Sequence, residues 1–315
     1  MTTARLISAA SILVDQRMRV PRPPERGGDV LAGAVDLRVA GGFNLMVAAV
    51  RQGVDVVHAG TAGTGPYGDL VRNTLRRNGI DAPLLPDPRG DTGICVILVD
   101  DGAEKTMVTA PGVEAQLPRH RLDGIPLRTG DLVAISGYDL VYPEMAPVLA
   151  GWVGDLPDGI GVVFDPGPLL DEINSDHLDV VLQKTEVLSL TVREAGVLAG
   201  AEVGMDAAGL RTLRRSRGLA GRTLLVIRDG ERGCAAGTAG EQYVVAPPRV
   251  GAVDATGAGD VFTGVLAAGL LQGRSVGEAV ARACAAGAFA VTGYGGDAAP
   301  TPAEIDELSA GVRIS

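Results

Sequence analysis

Seven residues, Asp254-Ala255-Thr256-Gly257-Ala258-Gly259-Asp260, stand directly before the apolar run Val261, Phe262, Val265, Leu266, and their types and spacing describe a reaction centre. Glycines at 257 and 259 let the backbone turn tightly with several N–H groups aimed the same way, and the apolar run reads as a buried helix starting there. First-turn amides lack an intrahelical acceptor, and the helix dipole adds about half a positive charge at that end. The amides of Gly257, Ala258 and Gly259 therefore suit a phosphate or a developing oxyanion. Asp260 would stand at the mouth of this anion hole, where a carboxylate takes a proton from a substrate hydroxyl while the amides hold the phosphoryl group under attack. A packing explanation also exists, in which Asp254 caps and Gly-Ala-Gly lets the helix lie close to a strand. It leaves the second aspartate, Asp260, unexplained.

Three further segments carry candidate chemistry. In Gly41-Gly42-Phe43-Asn44 the paired glycines leave room for a ligand against the backbone, and Asn44 either caps a following helix or points its amide at a hydroxyl. Gly63-Thr64-Gly65-Pro66-Tyr67-Gly68 matches the dinucleotide fingerprint letter for letter, with Asp81 at about the expected distance, so a dehydrogenase binding a nicotinamide dinucleotide at Gly63, Gly65 and Gly68 is the reading from a different enzyme class. In a chain with 45 glycines that hexapeptide is a weak signal, and it does not lie in the first βαβ unit. Arg228-Asp229-Gly230-Glu231 ends a strand-like run, and Arg228 either supplies charge to a nucleotide phosphate or pairs with Asp229 or Glu231.

Composition narrows the classes. A net charge of -10 and an isoelectric point near 4.8 argue against nucleic acid or an anionic membrane surface as partner. Cys95, Cys234 and Cys284 are too few and scattered for a disulfide framework or a structural zinc site, which fits a reducing cytoplasm. The lysines are only Lys105 and Lys184, and no Gly-Lys-Ser/Thr occurs, so no Walker A loop exists and phosphate chemistry falls to amides or arginines. His58, His120 and His177 are far apart and support no histidine mechanism or metal site. No apolar run reaches membrane-spanning length, and no signal segment opens the chain, so a soluble intracellular protein is expected.

The elements that must hold these residues follow from periodicity. From about residue 44, short β-branched runs alternate with amphipathic stretches: Val54 to Ala59 then Asp69 to Arg77, Leu132 to Ser136 then Pro143 to Val153, and Gly161 to Asp165. That rhythm predicts an α/β protein, with a mostly parallel sheet covered by helices. Helices are expected over Val261 to Gln272 and Val276 to Val291. Two places break the rhythm. Leu6 to Val20 with Val30 to Val39, and Ile94 to Val99 with Lys105 to Thr109, each flank a turn and read as hairpins. With no adjacent helix to cover them, they predict a small antiparallel sheet standing out from the body.

The Asp254–Asp260 segment is similar to the C-terminal motif of the ribokinase, or PfkB, family of carbohydrate kinases, and Gly41-Gly42 with Asn44 resembles its other motif. The spacing to Asn44 is shorter than in ribokinase, and Phe43 replaces the usual Lys-Gly. The resemblance spans essentially the whole chain and implies a ribokinase-like three-layer sandwich, one kinase domain over 1–315, with a β lid from segments about 10–39 and 93–109. It further implies ATP with Mg2+, Asp260 as catalytic base, and a free sugar or sugar acid as acceptor, with a nucleoside as the alternative. Asp15 stands where relatives place an aspartate that bonds two sugar hydroxyls, although a solvated turn residue explains it equally well. Glu194 matches the glutamate that helps hold Mg2+ through water, with Thr191 where the family has Asn; an ordinary exposed helix residue is the alternative. The Arg228–Gly230 turn resembles the nucleotide-side turn. Cys284 and Ala288 fall where relatives line the adenine pocket, and Asp254 and Thr256 where many bind K+. A homodimer through the lid is also implied. The lack of a lysine beside Gly41-Gly42 argues against a substrate that already carries phosphate.

Overall fold

A computed structural model of the chain describes residues 4–84, 86–293 and 298–315. Its largest feature is a nine-stranded sheet. Six strands run parallel: β1 (Leu6–Ser8), β4 (Val56–His58), β7 (Leu132–Ser136), β8 (Gly161–Asp165), β9 (Thr185–Thr191) and β10 (Leu224–Arg228). Beyond β10 the edge is finished antiparallel by β11 (Cys234–Gly237), β12 (Gln242–Ala246) and β13 (Arg313–Ile314), giving the order β13-β12-β11-β10-β9-β8-β7-β1-β4.

The strands are short, almost wholly apolar runs because both faces are covered. Along β10, Leu224 and Val226 enter one core while Leu225 and Ile227 enter the other. The first core packs under α1 (Gly42–Arg51), α2 (Pro66–Arg77), α8 (Ala258–Leu271), α9 (Val276–Ala290) and α10 (Pro302–Ser309). The second lies under α3 (Arg119–Asp123), α4 (Met145–Gly154), α5 (Ser175–Lys184), α6 (Val192–Ala199) and α7 (Ala207–Ser216). The expected three-layer α/β architecture is what forms. Small side chains set the closest helix crossing. A Cβ on Gly264 of α8 would run into the carbonyl of Leu45 on α1, so the two helices touch backbone to backbone and their first turns lie side by side.

The second sheet has four strands in the order β3-β2-β5-β6: β2 (Ile12–Arg19), β3 (Ala34–Gly41), β5 (Ile94–Val99) and β6 (Lys105–Ala110). Both predicted hairpins are present, and they join through a central β2–β5 pair that is parallel. Alternation sorts the side chains. Asp15 and Arg17 of β2 register with Cys95 and Ile97 of β5, and Asp15 with Arg38 of β3, on the face toward the body, where Leu13 packs against Cys95 and Ile97. The opposite face presents Val35, Leu37 and Val108, which are 58%, 48% and 66% exposed.

Three details of the lid correct the sequence reading. Leu6 to Val20 is not one strand. Leu6–Ser8 stays in the large sheet, and the chain changes sheets at residues 9–11, where the Ser11 amide donates to the Asp139 carboxylate at 3.2 Å. The run is apolar on both sides of that break, so periodicity alone does not mark it. The return strand starts at Ala34 rather than Val30. Nor is the lid bare of helices at its base, since Ile12, Val14 and Val39 share the first core with residues of α1 and α2.

Candidate active site

The strand order reverses at β1: β4 pairs on one side of it and β7 on the other. Ligands in open α/β sheets bind at the carboxyl ends of the strands beside such a switch point. Here those ends deliver Asp165 from β8, Thr191 from β9 and Arg228 from β10, and the N-terminus of α8 meets them.

Gly257 is the cap of α8, in the left-handed region with φ 79°, a backbone that glycine adopts without strain. Asn44, in the first turn of α1, lies against it: a Cβ on Gly257 would stand 2.9 Å from Asn44 Nδ2. The same Nδ2 donates to Asp260 Oδ2 at 3.2 Å, while Asn44 Oδ1 is buried without a partner among the described residues. The Ala258 amide donates to the Ala255 carbonyl at 3.3 Å, whereas the Gly259 and Asp260 amides belong to the helix's unpaired first turn. Burial, reinforced by the charge of Asp165, pushes the Asp260 carboxyl up to about 7, against the opposing pull of the Asn44 amide and Arg228.

Asp165 is the residue that motif reading missed. Its carboxylate accepts from Arg228 Nη2 at 2.7 Å and from Thr263 Oγ1 at 3.4 Å, and Thr263 in turn meets Ser189 Oγ at 3.1 Å. Burial raises its pKa too, opposed by Arg228 and assisted by the nearby Glu194. Its position at the carboxyl end of a predicted parallel strand was the available signal. Arg228 bridges the two halves of the site: its guanidinium lies 5.9 Å over the Phe262 ring, and a Cβ on Gly259 would run into its Nη1. Its Nε is buried and without a partner among the described residues. Of the alternatives for Arg228, the ion pair to Asp229 or Glu231 gives way to one with Asp165.

On the lid side, Asp15, Arg17, Arg38 and Lys105 line a cavity with Asn44, Asp254 and Thr256. Burial lifts Asp15 to about 6, even though Lys105 and Arg17 pull it down. Arg17 Nη1 meets Asp254 Oδ2 at 2.9 Å, and Lys105 Nζ meets Asp254 Oδ1 at 2.5 Å and also contacts Thr256 Oγ1. The Asp254 carboxylate also accepts from the Thr256 amide at 3.0 Å. Asp254 and Thr256, expected at a K+ site, therefore face two side-chain cations from the lid. Both ion pairs cross more than a hundred residues of sequence, and no local pattern announces them.

Other predicted site residues have different surroundings. The glycine pair lets the chain pass close to itself: a Cβ on Gly41 would stand 2.7 Å from the Ser11 carbonyl, and one on Gly42 2.8 Å from Ala10 Cβ. Glu194 is 5% exposed, not an exposed helix residue, and closes a capping box in which its Oε2 accepts from the Thr191 amide at 2.7 Å and Thr191 Oγ1 accepts from the Glu194 amide at 3.3 Å. Cys284 turns its thiol into the core, toward the Val245 carbonyl and Cys234, and offers no surface to a nucleotide. Gly230 sits exposed in a turn with φ 50°.

The dinucleotide fingerprint is filled from within. Asp91 accepts from the Tyr67 and Gly68 amides at 3.0 and 2.7 Å, occupying the N-terminus of α2 where a pyrophosphate would lie. A Cβ on Gly63 or Gly65 would strike Asp91, and one on Gly68 would strike Gly63. The dehydrogenase reading falls on this geometry.

The model of the "pfkB family carbohydrate kinase" matches residues 4–304. Among curated proteins, the chain is 30% identical over 285 residues to the uncharacterized sugar kinase YegV of Escherichia coli (strain K12), covering 90% of this chain and 87% of that one. It is 27% identical over 305 residues to the ribokinase of Haemophilus influenzae, covering 95% and 96%. Among solved structures, the Arabidopsis thaliana ribokinase complexed with ribose and ATP shares the fold at a TM-score of 0.77 and 18% identity, over 98% of this chain and 99% of that one. With its switch-point cleft, its glycine-capped α8 and its aspartate one turn in, the chain belongs to the PfkB family of carbohydrate kinases.

Proposed function

We propose that this carbohydrate kinase transfers the γ-phosphoryl group of ATP to a hydroxyl of a small sugar or sugar acid bound under the lid, with Asp260 as the base. The observation that carries the reading is the Asn44–Asp260 contact: one asparagine lines the lid cavity and holds the carboxylate beside the first-turn amides of α8. A substrate hydroxyl between them gives its proton to Asp260 as its oxygen bonds the γ-phosphorus. The β–γ oxygen–phosphorus bond breaks and ADP leaves. The amides of Gly257, Gly259 and Asp260 receive the charge that develops on the transferring group, and Arg228, with its unpaired Nε beside them, is placed to add a donor.

A base with a pKa near 7 suits this task, since at neutral pH about half of it is ionised and able to accept a proton. Magnesium bound with the nucleotide would neutralise phosphate charge, and the hard carboxylate oxygens of Asp165, at the end of β8, and of Glu194, in the first turn of α6 beyond β9, would hold it through waters. Asp15 and the unpaired Asn44 Oδ1 are acceptors for sugar hydroxyls. None of the described residues lining the cavity is aromatic, which favours a sugar over a nucleoside whose base needs a stacking partner. We treat the chain as one cytoplasmic kinase domain with its lid inserted. Among the described residues no helix is long and apolar enough to cross a membrane. The exposed Val35, Leu37 and Val108 on the outer lid face suit pairing of two lids in a homodimer.

The test is ADP release from Mg-ATP across free sugars, sugar acids and nucleosides, with Asp260→Asn alongside and with K+ present or absent. A sugar-dependent signal lost in the variant is the expected result. ADP release equal in both proteins would remove Asp260 as the base.

A further inference from the structure

Charge is distributed unevenly in this molecule. The whole chain carries a net charge of -10, yet the lining of the lid cavity gathers Arg17, Arg38 and Lys105 with the carboxylates Asp15 and Asp254, and Arg38 also pairs with Asp36 of its own strand. One of only two lysines in the sequence is spent here. The three cations come from three different strands, β2, β3 and β6, and strand register aims them at the same space: Arg38 pairs across from Asp15, and Lys105 across from Val99, two residues beyond the Ile97 that faces Arg17. A pocket for a neutral polyol needs carboxylates and amides that accept and donate to hydroxyls. It does not need three cations.

We infer that the acceptor is an anionic sugar, one carrying a carboxylate or a phosphate, and that Arg17 and Lys105, with Arg38, form the subsite that recognises its charge. This deepens the kinase reading and rests on it. Asp254 pairs with Arg17 and Lys105 of the lid, at 2.9 Å and 2.5 Å, with its carboxylate only 4% exposed. Asp254 thus fixes the two cations side by side at the cavity wall. An entering carboxylate or phosphate shares them, drawing both lid hairpins and the loop that precedes the α8 anion hole onto one ligand. The other end of the cavity holds Asn44, and through it Asp260, so the ligand lies with its charge at the lid and a hydroxyl at the base. The lysine missing beside Gly41-Gly42 is supplied by another strand.

Matched triplets decide the point: a free sugar, its aldonic or uronic acid, and its phosphate ester, each assayed for ADP release from Mg-ATP with wild type, Arg17→Gln and Lys105→Gln, and each titrated by calorimetry without nucleotide. We expect kcat/KM for one anionic member to exceed that of its neutral parent by at least roughly tenfold. Each variant should raise KM for the anion by roughly ten- to a hundredfold, the range for charge-assisted hydrogen bonds, and change that for the neutral sugar far less. The acid and ester arms separate a carboxylate from a phosphate. Equal or better use of the neutral sugar, or equal losses for neutral and anionic substrates in the variants, overturns the inference and leaves the kinase reading intact. Lys105-dependent binding of an anionic sugar without acceptor-dependent ADP release upholds the subsite and sinks the kinase reading. Absence of both, with folded protein, sinks the inference.

Discussion

The glycine-rich turns that lead into α2 and α8 differ in what fills them. At α2, Gly63, Gly65 and Gly68 match a nucleotide-binding fingerprint, but Asp91 from the next segment lies in the turn and takes the amides of Tyr67 and Gly68. At α8, the neighbours nearest to a Cβ added at Gly257 or Gly259 are the side chains of Asn44 and Arg228. Glycine at α2 makes room for the protein's own backbone and carboxylate. Glycine at α8 makes room beside a base. A helix N-terminus attracts anions in either case. What decides function is whether the chain supplies the anion itself.

The largest effect that separates the two turns belongs to Asp260. Asp260→Asn should lower turnover by at least roughly a hundredfold, the low end of general-base effects, with ATP affinity little changed. Steady-state kinetics with nucleotide titration checks both halves. The corresponding change in the other turn, Asp91→Asn, should leave kcat and KM near wild type, because its work is structural.

Alanine in each turn sharpens the contrast. In Gly259→Ala the added Cβ meets the tip of Arg228, which can swing, so the fold survives while the crowded anion hole loses roughly ten- to a hundredfold in kcat/KM. In Gly68→Ala the Cβ meets the Gly63 backbone, which cannot swing, and about 1–3 kcal/mol of stability should go. Denaturant melts and kinetics on both proteins test the crossing: activity lost without stability at 259, stability lost without specific activity at 68.

How far such a contrast is legible before folding depends on the range of the contacts involved. Ile94–Val99, Leu132–Ser136 and Gly161–Asp165 are read directly, because a strand buried on both faces, or a hairpin strand with alternate faces, imprints its own composition. The α8 motif is legible for a similar reason: cap, glycines and base fall within one turn. Asp91 in the α2 turn lies 24 residues from Tyr67, so the fingerprint gives no sign of being filled. Asp165 acquires its importance from Arg228, 63 residues away, and Lys105 from Asp254, 149 residues away. Glu194 was found by motif, but its capping box with Thr191 supplies a structural reason for the same spacing. The sheet change at residues 9–11 left no trace because both sheets want the same apolar residues.

Asp91 offers a smaller, purely thermodynamic test. Burial raises its pKa, but amides from Gly68, Tyr67, Thr92 and Gly65 outweigh that and leave it below the ordinary carboxylate value. A depressed folded-state pKa gives stability that is present above the unfolded value and is lost as pH falls through the folded one. Asp91→Ala should therefore cost about 1–2 kcal/mol at neutral pH, the range for a lost helix cap, and progressively less in acid. A constant penalty across that range would show that the carboxylate charge is not what fills the α2 turn.

Asp260 has the opposite sign. Its folded-state value near 7 lies above the unfolded carboxylate, so its contribution to stability is full below the unfolded pKa, near 4, and fades as pH rises through about 7. Asp15, at about 6, and Asp139, at about 7, push the wild-type curve the same way, so that curve alone assigns nothing. The difference between wild type and Asp260→Asn isolates one group: the variant, neutral at every pH, should gain on wild type between about pH 4 and 7, where the unfolded carboxylate is ionised and the folded one, buried beside Asp165, is not. Thermal midpoints of the two proteins at both ends of that window measure the gain, and a difference that stays flat would mean that solvent already screens Asp260. A gain that grows with pH would show that the open turn at α8 holds a charge the fold tolerates at a cost, while the filled turn at α2 holds one the fold uses.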